Sequence, residues 1–153
     1  MTANRLYTVF RYYVSNGWGE WAEHRVFTSA DSGLHWAEIT PLNEFGYRDT
    51  LAYYEDVVPS PIISNRVYLK KEFHTWYQSE DGGLTWVTPS FPVDTLASDA
   101  RNPSWLYGYY CEYGCGVSGQ GEGRRSVDGG ISWHAWSTQP CQSLSFQQLV
   151  SLP

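Results

Sequence analysis

The sequence predicts an all-β fold made of repeated four-stranded antiparallel units, and two observations support this class. A pattern of the form Ser-x-Asp-x-Gly-x-x-Trp, here called the box, occurs three times: SADSGLHW at 29–36, SEDGGLTW at 79–86 and SVDGGISW at 126–133. Successive boxes begin 50 and 47 residues apart, and no segment longer than about eight residues follows a helical period. Because a repeat of ~40 to 50 residues is typical of a β-propeller blade, we expect three blades, a partial or half propeller.

Each repeat is predicted to contain four strands, A to D, in chain order. Strand B is a run rich in Tyr, Val and Leu that follows an asparagine, at 4–10, 65–71 and 102–110. Strand C ends at the box and strand D follows it, so the box is the turn between them. Strand A is predicted at 50–61, 94–103 and 143–153.

The order along the chain is therefore BCD, ABCD, ABCD, A. We expect one propeller segment over residues 1–153, with repeats at about 4–40, 50–90 and 94–138. The C-terminal strand, at 143–152, would supply the strand A that the first repeat lacks.

The residues of the box suit a tight turn. Its Asp carboxylate can accept hydrogen bonds from backbone N–H groups about two residues on, and its Gly permits a positive φ. Its Trp removes ~150 to 250 Å² from water when buried, so we expect packing to be its main role. The twelve residues predicted to have this structural role are Ser29, Asp31, Gly33, Trp36, Ser79, Asp81, Gly83, Trp86, Ser126, Asp128, Gly130 and Trp133.

The box resembles the Asp-box, also called the bacterial neuraminidase repeat (BNR repeat), and the segment NPSWLYGYY…RRSVDGGISW resembles the repeats of Asp-box propellers. This group includes sialidases, xyloglucanase-like glycosidases, sortilin-type receptor domains and photosystem II assembly factors. Each box follows a Leu-Tyr or Val-Tyr pair in strand B, so the resemblance extends over nearly the whole chain. It implies that the box is a structural turn at the blade periphery, away from the central channel where ligands bind.

Composition excludes some partners. The formal net charge is −6 and the chain has only two lysines, so it cannot present the basic face with which most proteins bind nucleic acid. No stretch approaches the ~18 to 20 apolar residues of a membrane span. The first ten residues lack the features of a signal peptide, although the family resemblance implies an extracytoplasmic or secreted protein. The location stays open, as does whether Met1 is the natural start.

Three cysteines are present, Cys111, Cys115 and Cys141. A disulfide between Cys111 and Cys115, or between Cys115 and Cys141, fits the sequence, which does not decide the pairing. The spacing matches no paired zinc-ligand pattern. We therefore predict no metal and no cofactor.

Aromatic residues make up 17% of the chain, more than three small blades need for packing. Gly-rich irregular loops on a rigid scaffold commonly carry function, and two are predicted between strands B and C, at 12–23 and 111–123. Exposed rings can stack on sugars or anchor a protein. The candidate ligand-binding residues are Trp18, Trp21, Tyr109, Tyr110 and Tyr113. These observations favour a non-catalytic module that binds a protein or a glycan.

The alternative function is glycoside hydrolysis, of the xyloglucanase or sialidase type, which uses paired carboxylates ~5 to 9.5 Å apart. In xyloglucanase-like proteins a catalytic Asp follows strand B, and Arg11, Phe73 and Cys111 hold the corresponding positions here. Asp99 and Glu112 are the candidate catalytic carboxylates that the sequence leaves.

Three blades do not make a closed ring, because propellers have ~4 to 8. Either the chain is part of a longer propeller, or two copies form a homodimer that completes a six-bladed ring. In the second arrangement, the C-terminal strand A of one copy would complete the first blade of the other.

Overall fold

A computed structural model describes residues 5–72, 74–111 and 120–140 of the chain. Within these ranges the chain forms strands, turns and no helix. The ten strands are β1 (Leu6–Ser15), β2 (Glu20–Ser29), β3 (Ala37–Glu38), β4 (Tyr54–Pro59), β5 (Val67–Lys71), β6 (Trp76–Ser79), β7 (Thr95–Ser98), β8 (Leu106–Cys111), β9 (Gln120–Ser126) and β10 (His134–Pro140).

The strands form three antiparallel sheets in chain order, β1-β2-β3, β4-β5-β6 and β7-β8-β9-β10, here called the first, second and third sheets. The predicted order was BCD, ABCD, ABCD, A, and the described strands give BCD, ABC, ABCD. The predicted strand D of the second repeat is only an isolated bridge between Gln78 and Val87. Pro89 lies two residues further on, and because a proline has no N–H it cannot extend a ladder. The predicted strand at 143–152 lies outside the described residues.

The chain divides into two compact units. One contains the first and second sheets, in Met1–Pro59 and Ser64–Thr88. The other contains the third sheet, in Ser60–Ile63 and Pro89–Pro153.

In the first unit, one side of the first sheet packs against the second sheet. Alternate side chains of a strand point to opposite sides, so Tyr7 and Val9 share a side, which we call the Tyr7 face; the side bearing Leu6 and Phe10 is the Leu6 face. The buried cluster consists of Val26, Ile39, Ala52, Tyr54 and Leu69, with Tyr7, Val9, Val57, Tyr77 and Trp86 packed against it. The hydrophobic effect, at ~25 cal/mol per Å² of apolar surface, therefore stabilises this pair of sheets mainly through the Tyr7 face.

The segment at 12–23 was predicted to be an irregular loop, and that prediction was wrong. Strands β1 and β2 pair without interruption from Leu6 opposite Ser29 to Ser15 opposite Glu20. Asn16 closes the hairpin, because its Oδ1 accepts hydrogen bonds from the N–H of Trp18 (3.0 Å) and Gly19 (3.2 Å). Gly17 supplies a φ of 85°. Aromatic and β-branched residues on both sides of an Asn-Gly pair indicate a hairpin. The segment was nevertheless predicted to be a loop because it contains two glycines, Gly17 and Gly19.

In the second unit, close packing explains two glycines. Gly108 in β8 leaves room for Val93, and Gly121 in β9 leaves room for the ring of Tyr109; a Cβ at either glycine would overlap with these atoms. Part of the second predicted loop, 111–123, also pairs as strand, since Cys111 lies opposite Gly121. Cys111 is disulfide-bonded, which excludes a pairing between the other two cysteines; both lie outside the described residues.

The three box turns share one set of hydrogen bonds, shown here for the second. The Oγ of Ser79 donates to Asp81 Oδ1 (2.7 Å) and accepts from the N–H of Gly83 (2.8 Å). Asp81 Oδ1 also accepts from the N–H of Thr85 (2.9 Å). This donor lies four residues after the Asp, whereas the sequence analysis predicted donors about two residues after it. Gly83 has a φ of 96°, as predicted. The same bonds link Ser29, Asp31, Gly33 and His35 in the first turn, and Ser126, Asp128, Gly130 and Ser132 in the third.

These hydrogen bonds hold the box carboxylates ionised. They lower the pKa of Asp31 to about 2, chiefly through the N–H and ring of His35. The pKa of Asp81 is lowered mainly by the hydroxyl of Thr85, and that of Asp128 mainly by the hydroxyl of Ser132. Each carboxylate therefore stabilises its turn as an anion.

Candidate functional site

The β1–β2 hairpin extends well beyond the strands of the neighbouring sheet. In the second sheet, pairing between β5 and β6 ends at Lys70 opposite Trp76, the position equivalent to Val9 opposite Val26 in the first. The first sheet continues for six further pairs. The last four of these pairs and the turn, residues 12–23, are called the hairpin extension.

On the Leu6 face, the hairpin extension carries a polar network between aromatic rings. Tyr12 donates from its hydroxyl to Glu23 Oε2 (2.7 Å), and Arg25 Nη2 donates to the same oxygen (3.2 Å). The indole N–H of Trp21 donates to Glu23 Oε1 (3.4 Å). The Arg25 guanidinium also lies 3.5 Å from Glu38 Oε2 on β3. One cation is therefore held between two carboxylates.

The network fixes the charge state of its members. The hydrogen bond from Tyr12 is the main cause that lowers the pKa of Glu23, and the hydrogen bond to Glu23 raises the pKa of Arg25. The Arg25 guanidinium also lies 5.4 Å from the centre of the Tyr12 ring, a cation–π distance. These contacts link Tyr12, Glu23 and Arg25 to one another on this face.

On the opposite side of the same strands, the Tyr7 face, a second arginine lies between two exposed rings. The guanidinium of Arg11 is 5.2 Å from the ring centre of Tyr13 and 5.7 Å from that of Tyr53. Tyr53 packs in turn on His24, with ring centres 4.6 Å apart. Tyr13 is 67% exposed, so the hairpin extension presents aromatic surface on both sides.

At the tip of the hairpin, Trp18 is 95% exposed. Its backbone is fixed by Asn16, whereas its indole is surrounded by solvent. A large apolar ring held on a rigid turn is costly to expose and well suited to contact a partner. The hairpin extension can therefore stack on sugar rings or anchor a peptide, and the charged network beside it can donate and accept hydrogen bonds.

The structure brings together Trp18 and Trp21 but not the other predicted binding residues. Tyr109 is 5% exposed and packs under Gly121. Tyr110 is half-buried in β8, and the guanidinium of Arg124 lies 4.5 Å from its ring centre. Tyr113 lies outside the described residues. Sequence reasoning did not assign Arg25 and Glu38 to the binding site, because only the strand register places them close to Tyr12.

Asp99, a candidate catalytic carboxylate, holds a turn between β7 and β8. Its Oδ1 accepts hydrogen bonds from the N–H of Arg101 and the N–H of Asn102, both at 2.8 Å. The first of these is the main cause that lowers the pKa of Asp99. A general acid would need its pKa raised, so this environment suits a structural anion. Glu112, the other candidate, lies outside the described residues.

Comparison by sequence gave no match, either with a protein-family model or with a curated protein. Comparison by structure gave matches. A structure of YCF48 bound to a D1 peptide matches 88% of this chain with a TM-score of 0.50 and 17% identity. The chain is built of β-propeller blades. A GH74 enzyme from Niastella koreensis matches 80% of the chain with a TM-score of 0.49 and 18% identity.

The three sheets are thus three blades, and the first has no strand A within the described residues. At such identities the likeness concerns the fold alone. The chain covers 40% of the YCF48 chain and 20% of the GH74 chain. No group of three or more His, Cys, Asp or Glu side chains in the described ranges is placed to hold a metal ion, and no helix there could cross a membrane.

Proposed function

We propose that the chain is a non-catalytic Asp-box β-propeller module that binds a protein or a glycan through the hairpin extension. The observation that carries this proposal is the exposed Trp18 at the tip of a continuously paired hairpin. Aromatic rings line both sides of that hairpin behind it. Binding surfaces are commonly built in this way, with a rigid scaffold that presents rings whose conformational entropy is already low.

Two further observations support the proposal. The same hydrogen bonds recur in all three box turns, which is what a family of structural Asp-box repeats would require. The YCF48 structure holds a peptide, which favours a protein ligand. A hydrolase is less well supported, because Asp99 is committed to backbone N–H groups.

Binding to arrays of glycans and of peptides tests the proposal. We expect a ligand on one array, which Trp18→Ala binds about 30-fold more weakly, since a hot-spot ring contributes ~2 kcal/mol or more. Ile131→Ala is the matched control, because Ile131 is 88% exposed on the third box turn.

A hydrolysis screen on polysaccharides separates the two functions. Turnover that Asp99→Asn abolishes would overturn the binding-module proposal. Binding that Trp18→Ala and Ile131→Ala change equally would overturn the assignment to the hairpin extension.

A further inference from the structure

In the second box turn, an apolar side chain from the preceding blade covers the glycine. Ile39 lies three residues after Trp36, and it packs on Gly83 so closely that a Cβ there would overlap with it. The indole N–H of Trp86 donates to the carbonyl oxygen of Ile39 (3.0 Å). Ile39 is 2% exposed. This contact joins the first blade to the second.

In the third box turn, the apolar side chain of Phe91 covers the glycine, within the second compact unit. It lies five residues after Trp86, and its ring fills the space in which a Cβ of Gly130 would stand. The rings of Phe91 and Trp133 meet edge to face, with centres 5.6 Å apart. In two of the three box turns, therefore, the glycine is covered by an apolar residue that follows the preceding box in the sequence.

The first box turn has no such cover within the described residues. A Cβ at Gly33 would meet only Leu6 Cδ1 (3.7 Å) and Trp36 Cζ2 (3.8 Å), both of its own blade. Trp36 is 44% exposed and Leu6 40% exposed on the Leu6 face. The indole of Trp36 donates instead to the carbonyl of Gly33 (3.0 Å). No described residue of another blade fills the position that Ile39 and Phe91 fill elsewhere.

The third blade carries a candidate for the matching side chain, which covers no box glycine among the described residues. Trp136 follows Trp133 by three residues, the spacing of Ile39 after Trp36, and it is 58% exposed. The two strands begin in the same register, since His134 lies opposite Arg125 as Ala37 lies opposite Thr28, and Trp136 then lies in a bulge between Ala135 and Ser137.

Trp136 also lies on the equivalent side of its blade. Its ring packs against Tyr107, with centres 6.3 Å apart. In its own blade, Tyr107 has the position that Tyr7 has in the first, where Tyr7 packs against the cluster that contains Ile39.

We propose that Trp136 of one copy of this chain docks against Gly33 and Trp36 of a second copy, and that two such head-to-tail contacts close a pair of chains. Each chain carries both sides of this contact, Trp136 in its third blade and Gly33 with Trp36 in its first. The contacts of Ile39 with Gly83 and of Phe91 with Gly130 are the models for how the two sides would pack. Such an interface is heterologous, because different surfaces of the two copies meet. A heterologous interface gives a closed assembly only if the last copy contacts the first. Two copies supply six blades, within the ~4 to 8 of closed propellers.

Sedimentation of the full chain at concentrations from about 1 to 100 µM tests this contact. We expect a species of twice the 17.5 kDa of one chain. Trp136→Ala removes one central ring from each of the two contacts, at about 30-fold per ring, so we expect it to raise the dissociation constant about 1,000-fold. Trp18→Ala removes an indole that is even more exposed, and it should leave the mass unchanged.

Mixing distinguishes a head-to-tail contact from any symmetric one. Leu6→Glu blocks one half of the contact and leaves Trp136 intact, whereas Trp136→Ala blocks the other half. Each variant alone should be a monomer, and an equal mixture should form pairs through the one intact contact. Near-ultraviolet circular dichroism confirms that each variant is folded.

Three results would overturn the proposal. One is a folded wild-type chain that stays monomeric at about 100 µM. Another is a pair that neither Trp136→Ala nor Leu6→Glu weakens. The third is growth into longer oligomers as concentration rises, which would show that the contact does not close on two copies.

Discussion

The indole N–H of Trp86 lies 3.0 Å from the carbonyl oxygen of Ile39, 47 residues earlier in the chain. The equivalent indoles of Trp36 and Trp133 donate within their own turns, to Gly33 and Gly130. The difference is one of neighbours: in the second box turn, the backbone of the preceding blade comes close enough to accept. The box is therefore both a turn and a contact point between blades.

We expect Ile39→Ala to destabilise the chain by ~2 to 5 kcal/mol, because it removes a buried side chain from the cluster between the first two blades. Ile131→Ala makes the same chemical change at an 88% exposed position, and its effect should be within about 0.5 kcal/mol. Urea denaturation measures both. Equal effects would contradict the role given to Ile39.

Alanine at two box glycines should separate backbone strain from packing. Gly33 and Gly83 have nearly the same φ, 92° and 96°, so each substitution costs ~1 to 2 kcal/mol from the backbone. Gly83→Ala should cost ~1 to 3 kcal/mol more, because its Cβ would overlap with Ile39. Urea denaturation in a Trp136→Ala background excludes any contribution from association. A larger effect at Gly33 would refute this account.

Ser32→Gly should stabilise the first box turn by about 1 kcal/mol. Ser32 has a φ of 62°, the one positive φ of a residue other than glycine in the described ranges, whereas Gly82 and Gly129 hold the equivalent positions. Removing its Cβ relieves the left-handed strain. The midpoint of thermal unfolding should rise; Ser90→Gly, at an exposed site elsewhere in the chain, should not raise it.

Stability should fall in acid because of the three box carboxylates. Their pKa is lower in the folded chain than the ordinary 3.8, and that of Asp31 is about 2. The unfolded chain therefore takes up protons first, so the stabilisation is complete above about pH 5 and is lost as pH falls from about 4 through 2. Unfolding free energy should decline over this range, and Asp81→Asn should flatten the decline. An unchanged slope would show that Asp81 is not hydrogen-bonded as described.

Local patterns were enough to predict much of this fold. The box spacing identified the turns, and the Tyr-rich runs identified strand B in all three sheets. The strand order follows from these two signals. Pro89 is a local signal that was underused, since the predicted strand D of the second repeat is only an isolated bridge two residues before it. The hairpin extension was missed because glycines at 17 and 19 suggested an irregular loop, whereas one of them serves a two-strand turn.

The sequence by itself determined the number of blades, the order of their strands and the conformation of the box turns, because each of these depends on residues close together in the chain. Only the tertiary structure decided which side of each strand faces a neighbour. Register and packing join residues such as Trp86 and Ile39 that are far apart in sequence, and no local pattern encodes them. For the same reason, only the structure distinguished Gly83 and Gly130, which an apolar side chain covers, from Gly33, which has no such cover in the part of the chain that the structure describes.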